Sequence, residues 1–369
     1  MARPATVTID LEAIAHNYRL AKSLAPEQQA LAVVKANAYG HGAVPVARKL
    51  ESEADAFAVA CIEEAAELRV AGIRKPILLL EGFFSADELN YISEHNLWTA
   101  VHNQQQIDAI ASASIKKPLH IWLKLDTGMH RLGFSAAEYP AAWQQLKALP
   151  QVASITLMSH FSSADDPHSP VTAAQLQCLD DISRQCPSPV SIANSAGTLI
   201  HSSAHRQWQR PGIMLYGSSP FAEGQAIDQQ LRPAMTLSTE IIAVHDLQPG
   251  DAVGYSGTFV CDKATRVGTI AMGYADGYPR QAKTGTPVIV NGQRTRIIGR
   301  VSMDMITVDL TSINAGIGDP VELWGKQLLA NEVAPCCDTI SYTLFTGITR
   351  RVHHRYTGQR SSGGLLTAV

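Results

Sequence analysis

Lys35 ends a run of small apolar residues in AVVKANAYGHG and is followed at once by a polar, glycine-rich loop. A lysine withdrawn from water gives up its proton readily, and the neutral amine can act as a base or add to a carbonyl. Other chemistry-bearing residues recur at the ends of comparable runs. LHIWLKL carries Lys124 near its end, with Asp126 and Arg131 beyond, ITLMS runs into His160, PVSIA into Asn194-Ser195, and GIMLY is entered through Arg210-Pro211-Gly212. Singly, each has a plain explanation: a lysine often just closes a strand, a histidine is more often structural, and Asn-Ser is a favoured helix cap. Their recurrence carries more weight, because a fold that collects strand ends on one face would collect these side chains too.

The elements that would position them are short apolar runs alternating with amphipathic helical stretches. The runs are LAVV (31–34), AFAVA (56–60), PILLL (76–80), LWTAV (97–101), LHIWLKL (119–125), ITLMS (155–159), PVSIA (189–193) and GIMLY (212–216), each too short for a core helix. FSADELNYISEH and FSAAEYPAAWQQLKAL open with the S-x-x-E spacing of a capping box, Ser85 with Glu88 and Ser135 with Glu138. Such alternation implies a parallel sheet covered on both faces. Eight units in about 200 residues fit a (β/α)8 barrel better than an open doubly wound sheet, which stays the rival reading. After Pro233 the helical spacing disappears and longer strand-like segments follow. Asn291-Gly292 between PVIV and QRTRII is a hairpin signal, since both turn residues need positive φ. The expected organisation is α/β: a barrel over 1–232, then a mainly antiparallel β domain over 233–369.

Composition removes several classes of function. The net charge of −3 offers no basic field for nucleic acid and no polybasic patch for a membrane, so neither partner is expected. No run of 18 apolar residues spans a bilayer, and MARPATVTIDLEAI lacks the apolar region of a secretory signal. The six cysteines are scattered without a C-x-x-C pair, which reads as reduced thiols in a cytoplasmic protein and not as metal ligands. No strand-anchored G-x-G-x-x-G and no G-x-x-x-x-G-K-[ST] supports a dinucleotide or a nucleoside triphosphate. The loops after the last strands of a barrel commonly bind phosphate, and here they offer the Ser195 hydroxyl and the amides of Gly212 and Ile213. A phosphate at one end and a strand-end lysine at the other fit a phosphorylated aldehyde held as a Schiff base, with pyridoxal phosphate the obvious candidate.

The chain also carries, in order, AVVKANAYGHG, KLDTGMHRLGF, MSHF, NSAG, RPGIMLYG, VGYSGTF, MGYADGYP, GRVSMDM and TISY. In these motifs it resembles the alanine racemases, fold-type III pyridoxal-phosphate enzymes, over essentially its whole length. The resemblance implies an isomerase interconverting L-alanine and D-alanine by two-base proton transfer, with Lys35 carrying the cofactor and then serving one face of the substrate. Tyr255 would be the opposite-face base, contributed by the partner in a homodimer with shared active sites. Tyr39, Ser195, Gly212, Ile213 and Tyr342 would hold the phosphate, Arg210 would face the pyridine nitrogen, and His160 would lie against the ring. Arg131 would contact the phenolic oxygen and the substrate carboxylate, oriented by Lys124, often a carbamate in this family. The Met303 amide would meet that carboxylate with Asp304 beside it, and Tyr274 with Tyr342 would narrow the entry corridor. The implied setting is cytoplasmic, supplying D-alanine to peptidoglycan precursors or consuming it as a carbon source. Ser256 departs from the glycine expected after the catalytic tyrosine, Ser302 stands at a variable position, and the resemblance carries least into LFTGITRRVHHRY after Tyr342.

The chemistry explains why such residues are needed. A free amino acid's Cα–H is too weak an acid for a side chain, so an electron sink and two bases on opposite faces are the minimal machinery. Arg210 discriminates among activities: an arginine does not surrender its proton, so the ring nitrogen would stay unprotonated and the sink would be weakened. A carboxylate there would suit transaminases and many decarboxylases instead. A related decarboxylase or a racemase for another amino acid is the nearest rival. A non-catalytic pyridoxal-phosphate carrier would have no use for Tyr255 and Met303, and a Schiff-base aldolase no use for the β domain.

Overall fold

The computed structural model describes residues 3–358; the end of the expected second domain, 359–369, lies outside them. In chain order the strands are β1 Thr6–Asp10, β2 Gln29–Val33, β3 Ala56–Val59, β4 Ile77–Leu79, β5 Leu97–Val101, β6 Leu119–Lys124, β7 Val152–Met158, β8 Val190–Ser191 and β9 Trp208–Gln209. There follow β10 Met235–Leu247, β11 Ala252–Val253, β12 Phe259–Val260, β13 Thr265–Ile270, β14 Pro287–Val290, β15 Gln293–Arg296, β16 Ile306–Asp309, β17 Pro320–Trp324 and β18 His353–Thr357. The chain divides into two compact units. One holds Ala15–Leu215 and Ser219–Leu231; the other holds the residues up to Ile14, Tyr216–Ser218 and the residues from Arg232 onward.

In the first unit β2 to β9 close into a parallel barrel, β9 returning to β2 through Trp208 opposite Gln29 and Gln209 opposite Ala30. The strands are buried on both faces, and all of AFAV in β3 is buried, which is why they read as continuous apolar runs without alternation. Inside, Trp98, Trp122 and Trp208 from three strands pack with ring centroids 5.3–5.9 Å apart. The capping signals hold to different degrees. Ser135 and Glu138 exchange both bonds before the helix Tyr139–Ala148, at 3.0 and 3.3 Å. At Ser85 the Glu88 carboxylate accepts from the Ser85 amide at 2.9 Å, but the Ser85 hydroxyl takes the amide of Asp87 and not that of Glu88.

The eighth strand is a correction. GIMLY, expected as a strand, is a 3-10 turn over Ile213–Tyr216, and the barrel strand is Trp208–Gln209, so Arg210-Pro211-Gly212 leaves the strand and does not enter it. The Pro211 carbonyl still accepts from the Val33 amide at 3.1 Å, after which the Gly212 carbonyl takes the Leu215 amide and the chain coils. All four turn residues are buried, and a turn buried on every side is as apolar as a strand.

The second unit is built on an eight-stranded sheet in the order β15-β14-β17-β10-β1-β18, with β13 paired to β10 and β16. Its pairs are antiparallel except β1 with β18. Asn291 and Gly292 turn the β14–β15 hairpin with φ of 48° and 73°, as their types require. β1 belongs to this sheet and not to the barrel, so the chain's beginning departs from the expected 1–232 division. Its alternating Val7 and Ile9 are buried there.

Candidate active site

In the barrel unit the singled-out residues stand at the C-terminal ends of strands. Lys35 follows β2, where Glu64 accepts from the amides of both Ala36 and Ala60 at 2.7 Å and so ties the ends of β2 and β3. Ala36, Asn37, Ala38 and Tyr39 then run with φ of 50–53°. This left-handed turn costs roughly 1–2 kcal/mol per residue. Its hydrogen bonds, Ala38 to the Val34 carbonyl at 2.8 Å and Gly40 to the Ala36 carbonyl at 3.0 Å, return part of that cost. The turn brings the buried Tyr39 against Gly212: a Cβ built on Gly212 would stand 2.7 Å from the Tyr39 hydroxyl and 3.9 Å from Ser195 Oγ. A side chain there would have to displace the Tyr39 hydroxyl. Ser195 Oγ accepts from the amides of Gly212 and Met214 at 2.9 and 3.2 Å, and Asn194 caps the short helix Ser195–Ile200 through the Gly197 amide at 3.0 Å. Ile213 is buried in the same turn. Burial pushes the Tyr39 hydroxyl up to about 12.

The same unit holds a group of cations. Arg210, 4% exposed, donates to Ser191 Oγ, to the Ser159 carbonyl and to His160 Nδ1 at 3.3 Å, and no carboxylate faces it among the described residues. Burial lowers its pKa to about 10, so it stays charged at neutral pH. Lys124, 8% exposed, falls to about 8 through burial and then the charges of Arg210, Arg131 and Lys35. Lys35 is lowered by burial and then by Arg131, and His160 is held well below its usual range by burial and then Arg210. Arg131 rides on a loop folded back by Asp126, whose carboxylate takes the amides of Gly128 and His130 at 2.9 and 3.0 Å. Phe134 and Lys124 close that loop at 2.9 Å. Sequence reading missed the layer beneath. Ser159 and Ser191 were visible as polar residues in apolar strands, whereas Gln175, which holds Thr127 and the His160 carbonyl at 3.0 Å each, lies on a helix with no distinguishing signal.

The test of an anionic ligand is met here by charge and by shape. Arg210, buried without a carboxylate partner among the described residues, and a small hydroxyl-lined cradle tight at Gly212 suit a phosphorylated anion, and a strand-end amine with lowered basicity suits an aldehyde.

The remaining residues lie in the second unit. Tyr255 sits on the 3-10 turn Tyr255–Gly257 and is 70% exposed. The turn is anchored by Val253 and Phe259, which pack with Cys261, Val267 and Ile298. Ser256 adopts φ 63°, where the expected glycine would be unstrained, and its hydroxyl accepts from Arg300 at 3.3 Å. Tyr274 begins the turn Tyr274–Asp276, Met303 is exposed with no acceptor for its amide among the described residues, and the Asp304 carboxylate is taken by Arg351 at 2.6 Å. Tyr342 is half-buried on the helix Ser341–Thr346. Among the described residues all six cysteines are unbridged, and no helix is long and apolar enough to cross a membrane.

A closed barrel with a strand-end lysine among cations, joined in sequence to a β unit, defines a class of two-domain barrel enzymes, and comparison with known proteins narrows it. Family models described as "Alanine racemase, N-terminal domain" and "Alanine racemase, C-terminal domain" match residues 9–220 and 234–356. An alanine racemase of Pseudomonas syringae is 54% identical over 94% of this chain and 98% of its own length. A catabolic alanine racemase of Pseudomonas putida is 52% identical over 97% of this chain and 100% of its own. The crystal structure of biosynthetic alanine racemase from Pseudomonas aeruginosa superposes with a TM-score of 0.94 at 47% identity, over 96% of this chain and 99% of that one. The chain belongs to the alanine racemase family.

Proposed function

We propose that this chain interconverts L-alanine and D-alanine in the cytoplasm by two-base proton transfer, using pyridoxal phosphate and pairing with a second copy of itself. The observation that carries the reading is the cation group around Lys35, with Arg210 buried in it and facing no carboxylate. A buried cation without a counter-charge is costly, and a phosphorylated cofactor with a carboxylate substrate supplies the missing charge. Tyr39, Ser195, Gly212 and Ile213, with Tyr342, would hold the phosphate, and Lys35 would hold the aldehyde carbon. When bound, the cofactor supplies an electron sink for the pair left at the substrate Cα.

The remaining work falls to the protein's own groups. Lys35 Nζ, made less basic by burial and by Arg131, takes and returns a proton on one face. The partner subunit's Tyr255 serves the other face through its hydroxyl. Arg210 retains its proton and would offer only a donor to the ring nitrogen, which would temper the sink and favour return of the proton to Cα. His160, kept neutral, would lie against the ring and exclude water. Arg131 and the Met303 amide receive the substrate carboxylate. Asp304 supports from beside, its own carboxylate being committed to Arg351. Lys124, uncharged for part of the time near neutrality, is suited to react with carbon dioxide, and the resulting carbamate would orient Arg131. Tyr274 and Tyr342 narrow the approach and favour a small side chain.

The test is to follow the optical rotation of L-alanine with the wild-type protein beside Lys35→Ala and Tyr255→Phe. The wild type is expected to be yellow and to bring the rotation to zero, and both variants to fail. A wild-type protein that binds the cofactor yet leaves L-alanine unchanged would sink the reading.

A further inference from the structure

Two turns of the β unit are joined backbone to backbone. The Tyr274 amide donates to the Ser302 carbonyl and the Ala275 amide to the Met303 carbonyl, each at 3.0 Å. A Cβ built on Gly273 would stand 2.3 Å from the Met303 carbonyl oxygen, so the chains touch with no room for a side chain. Beneath the junction the Asp276 carboxylate is fully buried, at 0% exposure. It accepts from the Gly273 amide at 2.9 Å and from both terminal nitrogens of Arg3, one of them at 2.7 Å, and Arg351 Nε lies 3.4 Å away. The same arginines reach the other turn: Arg3 donates to the Asp304 carbonyl at 3.0 Å and Arg351 to the Asp304 carboxylate at 2.6 Å. The Thr349 hydroxyl and amide close the group on the carbonyls of Ala275 and Asp276, at 2.9 and 3.0 Å.

We propose that Asp276 is a positioning residue for the reaction, the buried hub through which Arg3 and Arg351 hold the Met303 segment and the Tyr274 turn in a single arrangement. The inference rests on the reading that the Met303 amide meets the substrate carboxylate. Buried ion networks of this kind matter by fixing geometry more than by adding stability. The hub touches neither substrate nor cofactor. Its effect is on where an amide and a tyrosine stand, which belongs to substrate binding more than to proton transfer.

The experiment measures kcat, KM for L-alanine and thermal midpoint on holoenzymes of Asp276→Asn, Arg351→Ala, Arg351→Lys and Met303→Pro. Asp276→Asn keeps the shape and removes the charge. It is expected to raise KM about tenfold, the loss of one charge-assisted hydrogen bond, with kcat within about twofold of wild type. Arg351→Ala, which cuts an arm at the exposed edge of the network, is expected to raise KM about threefold, and Arg351→Lys to restore part of that. A lowered midpoint with KM unchanged in both Asp276→Asn and Arg351→Ala means a merely structural hub and overturns the proposal. Should Asp276→Asn fail to fold, an unchanged KM in Arg351→Ala overturns it alone. Met303→Pro removes the amide donor and separates the two failures. A raised KM there with no effect at Asp276 and Arg351 leaves the Met303 reading standing and the hub refuted, whereas an unchanged KM refutes both.

Discussion

The two units present their functional groups by opposite means. The barrel takes cations out of water: Lys124 and Arg210 are 8% and 4% exposed, their basicity is altered by burial, and Lys124 is fixed by strand register while Arg210 directly follows β9. The β unit leaves Tyr255 70% exposed and holds it by a turn with positive φ at Gly254, Ser256 and Gly257. Burial changes what a group is chemically, while a turn changes only where it stands. Substitutions in the barrel should therefore alter the chemistry, and those in the β unit's turns should mainly alter placement, with Tyr255 itself the exception.

The widest test of that contrast is Lys35→Ala beside Tyr255→Phe. On the proposed roles the first would remove both the cofactor's attachment and one base, and kcat/KM should fall by about 10⁴ or more; the second would remove one base and should cost about 10³. Cofactor absorbance divides them, being disturbed only in Lys35→Ala, and equal disturbance in both would erase the distinction. Next, Arg210→Glu would put a proton on the ring nitrogen and strengthen the sink. Pyruvate formation from alanine should then rise about tenfold relative to racemisation, and unchanged partitioning would mean that Arg210 serves only to neutralise charge.

Lys124→Met measures the burial side directly, in cofactor-free protein and bicarbonate-depleted buffer. The folded protein binds the Lys124 proton near 8 and the unfolded chain near 10.5, so folding pays the penalty in full below about 8 and loses it as pH climbs toward 10.5. The variant should be more stable than wild type by about 3 kcal/mol at pH 7, and the advantage should vanish near pH 10.5. Denaturant titrations at the two pH values check this, and a pH-independent difference would contradict it. The smallest effect belongs to Ser256→Gly, where relief of left-handed strain and loss of the Arg300 bond nearly cancel, leaving under about 1 kcal/mol.

What could be read from the sequence follows the same division. Barrel strands announce themselves because burial on both faces leaves an apolar run, and the groups at their ends are then fixed by topology. The signal failed at the last strand, where Trp208–Gln209 is too short to register and the buried turn Ile213–Tyr216 imitates a strand better than the strand does. Asn291-Gly292 was legible because its turn depends on two adjacent residues alone. The network of Arg3, Asp276 and Arg351 was not, since its members come from well-separated parts of the chain, Arg3 lying 273 positions from Asp276, and nothing local distinguishes a buried aspartate from a surface one. Residues 6–10 fell inside the expected 1–232 domain for the related reason that sheet partners such as β10 and β18 are invisible from a short N-terminal segment.

The left-handed turn that follows Lys35 has a consequence for the sequences this fold can accept. At φ near 50° a residue of ordinary hand is crowded and one of mirror hand is at ease. Ala36 and Ala38 are thus positions where valine, isoleucine or threonine would be rejected outright, while a D-alanine introduced by chemical ligation would sit without strain. The segment that follows Lys35 is, over four residues, a stretch of opposite backbone chirality.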